Sequence, residues 1–103
     1  MNIEKNFVIE RIWVRDGEIT IVQFYIEFTD PDMPGVKSVH AAVIPAPQDL
    51  LLDATDEDIV FALLEMVGEQ WIQDLDNFHA NQLAFEYARQ NDTIVERNPA
   101  TTP

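Results

Sequence analysis

The chain has 103 residues, enough for one domain and too few for two ordinary ones. Hydrophobic residues make up 47% of it, including six Phe, two Trp and two Tyr, and this excludes wholesale disorder despite a net charge of −13. It contains no cysteine, which excludes disulfides and thiolate metal sites and fits a reducing compartment.

The charge is unevenly placed. Residues 1–37 carry seven acids and four bases, residues 38–88 carry ten acids and no Lys or Arg, and the remainder carries two of each. Direct phosphate binding needs Lys and Arg, so neither nucleic acid nor an anionic membrane is an expected partner. No run approaches 18 apolar residues, and residues 1–5 lack a basic stretch leading into an apolar one. Neither a membrane span nor a signal peptide is expected.

Residues 7–14 are β-branched and aromatic and predict a strand. Asp16-Gly17 follows, a strong type I′ hairpin signal because glycine accepts positive φ. Residues 19–28 form the return strand, with Val22, Phe24, Ile26 and Phe28 on one face. Ile19, Ile21 and Tyr25 share the other face with Gln23 and Glu27, a half-apolar surface that something is expected to cover. Two prolines and Gly35 make residues 29–35 a loop. Residues 36–44 give a third strand, and Pro45 and Pro47 end it.

Residues 48–54 cross over, with Leu50, Leu51 and Leu52 expected against the core. Thr55 followed by Asp56, Glu57 and Asp58 reads as an N-cap with a capping box. Ile59, Val60, Leu63, Leu64 and Val67 continue at helical spacing to Gly68, expected as a left-handed C-cap. A second helix is predicted over 69–90, its buried stripe being Trp71, Ile72, Leu75 and Phe78. The fold class that follows is α+β: a three-stranded antiparallel meander packed by two C-terminal helices. It forms a single domain over 1–90, with an extended or disordered tail over 91–103.

Catalytic chemistry is not legible. His40 and His79 lack the partner ligands a zinc site needs, and Ser38, the only serine, has no visible oxyanion hole. Asp30 and Asp32 suit a hard cation such as Ca²⁺, as do Asp53, Asp56 and Asp58, but turn chemistry and helix capping explain both groups better. With three glycines there is no phosphate loop. The expectation is a non-enzyme with no cofactor.

Partner-binding candidates remain. Phe61 falls on the outer side of the first helix beside Asp58 and Glu65. His79, Gln82 and Glu86 interrupt the apolar arc of the second helix. An exposed pair of Phe85 and Tyr87 there fits contact with another chain. In the tail, Ile94 and Val95 suit docking on a neighbour's strand edge.

From Asp53 to Glu69 the order is an acid-rich cap, an apolar helix, Val67-Gly68-Glu69 and a second helix. Together with a β-hairpin bearing Trp13, this resembles small tailed-bacteriophage proteins of a family described as a domain of unknown function, over about residues 7–87. The Pro-Asp-Met-Pro loop and the aromatic second helix depart from that pattern. The resemblance implies a virion-associated structural or accessory protein that binds other virion subunits or itself, in the virion or the host cytoplasm. It brings no active-site residues. The alternative is an acidic inhibitor that imitates DNA and blocks a host defence or nucleic-acid enzyme.

Overall fold

The computed structural model describes residues 2–47 and 49–97. Three strands, β1 (Glu4–Arg15), β2 (Glu18–Thr29) and β3 (Ser38–Pro45), form one antiparallel sheet in the order β1-β2-β3. The hairpin turns at Asp16 and Gly17 with φ of 53° and 80°. Two successive positive φ values are the type I′ signature, and its twist suits the flanking strands.

Register puts Lys5, Phe7, Ile9 and Ile12 of β1 across from Phe28, Ile26, Phe24 and Val22 of β2, which in turn oppose Ser38, His40, Ala42 and Ile44 of β3. These rows form the inner face. Phe24, Phe28, Ile26 and Val22 are fully buried on it, each contributing about 1.5–3 kcal/mol by leaving water.

One helical element, α1 (Asp56–Asn91), covers that face. Thr55 caps it: its hydroxyl accepts from the Asp58 amide at 3.1 Å, while Asp58 Oδ2 accepts from the Thr55 amide at 3.2 Å. The two predicted helices are not separate elements. Gly68 takes φ 84°, ψ 167° within α1, and the helix kinks there without an intervening loop. That conformation is open in practice only to glycine. It lets Ile59 and Leu63 before the kink and Leu75, His79 and Leu83 after it meet the same twisted sheet.

The crossover ties back to the hairpin, since the Ile19 amide donates to the Leu50 carbonyl and the Leu52 amide to the Gly17 carbonyl. Of the three leucines only Leu50 enters the core; Leu51 and Leu52 are exposed. Backbone pairing to the hairpin, not side-chain burial, holds those two. Gln48, placed in the crossover, lies outside the described residues.

The buried stripe of the second half of α1 also differs from expectation. Trp71 and Leu75 pack on the core, but Phe78 is exposed and His79 is buried in its place, followed by Leu83 and Tyr87. Helix remains continuous through Asn91, so the expected tail boundary moves out by one residue. Residues 93–97 have no regular structure, and the tail from 98 onward lies outside the described residues.

The radius of gyration is 18.9 Å, with extents of 68 × 31 × 23 Å. A compact chain of this length has a radius near 13 Å. The excess reflects a 36-residue helix, about 54 Å long if straight, laid on strands of about 40 Å.

Candidate functional site

Three places on this scaffold bear on function. The first is the polar-aromatic cluster beneath the end of β2. His79 is only 4% exposed. Its Nδ1 pairs with Ser38 Oγ at 2.5 Å, and its ring stacks on Phe28 with centroids 4.2 Å apart. His40 meets it edge-on at 5.9 Å and meets Trp71 at 5.6 Å. Burial pushes the His79 imidazole below its ordinary pKa by penalising the charged form; His40 repulsion adds to this and Asp76 opposes it. The His79 Nε2 is buried and has no hydrogen-bond partner among the described residues. His79 packs into the core from α1, while Ser38 and His40 stay half-buried beside it on β3.

The second place is the outer face of the sheet. Its rows are Trp13-Ile21-Pro45, Arg11-Gln23-Val43, Val8-Tyr25-Ala41 and Asn6-Glu27-Val39. No element of the chain covers them among the described residues. Val43 is 58% exposed, and Trp13 and Val39 are exposed as well. The Arg11 guanidinium lies 5.8 Å from the centre of the Trp13 ring. Polar contacts close one end, where Glu27 accepts from Asn6 and Lys37. The expectation that this face is half apolar holds except at Ile19, which the register shift between Trp13 and Val14 turns into the core, where it is 4% exposed.

The third is a groove between β1 and α1. One stretch, of about 500 Å³, is lined by Lys5, Phe7, Leu64, Gly68, Glu69, Ile72, Gln73 and Asp76. The next, of about 360 Å³, is lined by Phe7, Asp56, Glu57, Val60, Phe61 and Leu64. Phe7 and Leu64 belong to both, so the two stretches are continuous. Lys5 Nζ bonds both carboxylate oxygens of Asp76 at 3.0 Å and bridges the groove at one end.

The sequence-derived contact residues do not gather at one place. Phe61, 64% exposed, stands on the groove wall. Asp58 and Glu65 are exposed on the same half of α1, and Asp58 is engaged in the cap. Phe85 is exposed near the far end of the helix, while Tyr87 is half-buried against the core, so the two do not form an exposed pair. Ile94 and Val95 are exposed beyond the helix.

Asp30, a cation candidate, is buried and accepts from the Asp32 amide at 2.8 Å in a loop turn. No group of three or more His, Asp or Glu among the described residues is placed to hold a metal. No described helix is long and apolar enough to cross a membrane.

Reasoning from sequence missed the groove. Its walls come from Phe7 and Leu64, 57 positions apart, and each reads locally as an ordinary core residue. Comparison with known protein families, with curated proteins and with solved structures finds no match to this chain.

Proposed function

We propose that this chain is a non-enzymatic interaction domain that works by burying its outer sheet face against another protein subunit or a second copy of itself. The observation that carries this reading is the row of uncovered apolar residues Trp13, Ile21, Tyr25, Val39 and Val43 on a sheet whose other face carries the core. A sheet face of this kind stacks on another at about 10 Å to make a sandwich. Trp13 with Arg11 supplies the residue types that dominate interface energies. The setting we propose is a tailed-bacteriophage virion, and the support for that setting is the sequence resemblance alone.

The test is capture of the tagged full chain with its neighbouring virion subunits, with washes of rising salt and sedimentation of the purified protein in parallel. Self-association or capture of a virion subunit that survives salt and is lost in Val43→Lys is the expected result. A strict monomer that captures no virion subunit overturns the reading.

A second reading, the DNA-imitating inhibitor, draws on the exposed carboxylates of Asp56, Glu57, Asp58, Glu65 and Glu69 along α1. Capture of a basic nucleic-acid enzyme that is released by moderate salt favours it.

A further inference from the structure

The groove between β1 and α1 has a geometric cause. Neighbouring strands lie about 4.8 Å apart, whereas packed helices sit about 8–10 Å apart, so one helix roofs about two strands. Helix α1 buries β2 and lies over Ser38 and His40 of β3. Over β1 the roof is missing, and Phe7, Ile9 and Ile12 are left half-buried on the inner face. The wall that α1 turns toward this gap is apolar too, through Val60, Phe61, Leu64 and Ile72. What remains beside α1 is an open groove with apolar walls on both sides.

The rim states the sign of the occupant. Asp56, Glu57, Glu69 and Asp76 line the groove against one cation, Lys5, which Asp76 already neutralises. Residues 38–88, which include all of α1 before Arg89, contribute no Lys or Arg. A second copy of this chain would bring its own charge of −13 to an acidic rim, and its helix carries no Lys or Arg before Arg89.

We propose that this groove is the seat of a helix from a different protein, an amphipathic segment with a large apolar stripe flanked by Lys and Arg. The apolar stripe covers Phe7 and Leu64, and the flanking cations meet Asp56, Glu57 and Glu69. This site lies on the opposite face of the sheet from the surface proposed above and does not depend on it.

The experiment uses the full chain and three synthetic 18-residue peptides. One is a Leu/Lys amphipathic helix, one has Glu in place of every Lys, and one keeps the Leu/Lys composition in scrambled order. Titration calorimetry is run on the parent, Phe61→Ser, Val43→Ser and Glu57→Gln/Glu69→Gln proteins. The Leu/Lys helix is expected to bind the parent, to lose about tenfold or more in Phe61→Ser, and to be unaffected by Val43→Ser. In the double Gln variant the affinity falls and its salt dependence flattens.

Binding of the scrambled peptide as tightly as the ordered one overturns the proposal, because charge alone would then account for it. So does equal binding of the Leu/Glu helix, loss in Val43→Ser but not in Phe61→Ser, or no binding at all. Circular dichroism of each variant separates loss of the groove from loss of fold. Failure of the outer-face reading registers separately, as an unchanged sedimentation profile in Val43→Lys.

Discussion

The two flanks of the central strand differ in what lies over them. Toward β3, helix α1 reaches over the inner face and touches Ser38 and His40, which stay half-buried, while Phe24, Ile26 and Phe28 of the central strand lose all contact with water. Toward β1, the same rows continue into Ile9, Phe7 and Lys5, which stay partly solvated along a groove. The more apolar flank, with Phe7, Ile9 and Ile12, is the one the helix leaves open, while Ser38, His40 and Ala42 lie on the flank it reaches. The width of a single helix therefore sets where the core ends, and hydrophobicity alone does not.

The largest test of this contrast compares neighbours on one strand. Phe24→Ala, under the helix, is expected to cost about 3–5 kcal/mol in urea unfolding. Tyr25→Ala, one residue on and on the uncovered face, is expected to cost about 1 kcal/mol or less. Similar losses for the two would mean that the outer face is covered in solution.

The kink comes next. Gly68→Ala places a Cβ in open space but in a backbone conformation that side chains avoid, at a cost of about 1–3 kcal/mol. Either the domain loses that stability or α1 straightens and one half lifts off the sheet. Thermal unfolding reads the first outcome and small-angle scattering the second.

A pH effect probes the covered flank. Burial holds the His79 pKa below its ordinary value, so His79 contributes stability that is fully present above about pH 6.5 and is lost as pH falls from there through its folded value. His79→Gln keeps a side-chain partner for Ser38 and does not titrate. The stability difference between pH 7.5 and pH 5.5 is therefore expected to be smaller in the variant than in the parent, as read by chemical denaturation.

The smallest effect belongs to the open flank. Lys5→Met removes the partly exposed Lys5–Asp76 pair at 3.0 Å and is expected to cost about 0.2–1 kcal/mol, shrinking further in high salt. A larger loss would show that the bridge, and not the β1–β2 pairing alone, holds β1 in place.

Much of this fold is legible in the residues themselves, because its signals are local. Asp16-Gly17 sets a turn, the period of two assigns the faces of β2 from Ile21 onward, and Thr55 with Asp58 starts the helix; Ile19 breaks that period because the register shifts at Thr20. The acidic character of α1 is equally a property of the chain, since it needs only counting.

Where the sequence reading stops, a distant partner decides. Apolar spacing favours Phe78 over His79 for the interior. Yet Ser38 offers the His79 Nδ1 a hydrogen bond and Phe28 offers its ring a stacking surface, contacts that only a position facing the sheet can make. Gly68 reads locally as a stop, and only the sheet beneath both halves of α1 makes it a kink within one helix. Tyr87 reads as exposed until the core reaches it, and Phe7 reads as core until the helix proves too narrow to cover it. The chain alone determined strands, turn, cap and charge, each of which acts over a few residues. Packing across the sheet decided which apolar residues became interior and which were left as surface, because burial depends on the width and direction of elements far apart in sequence.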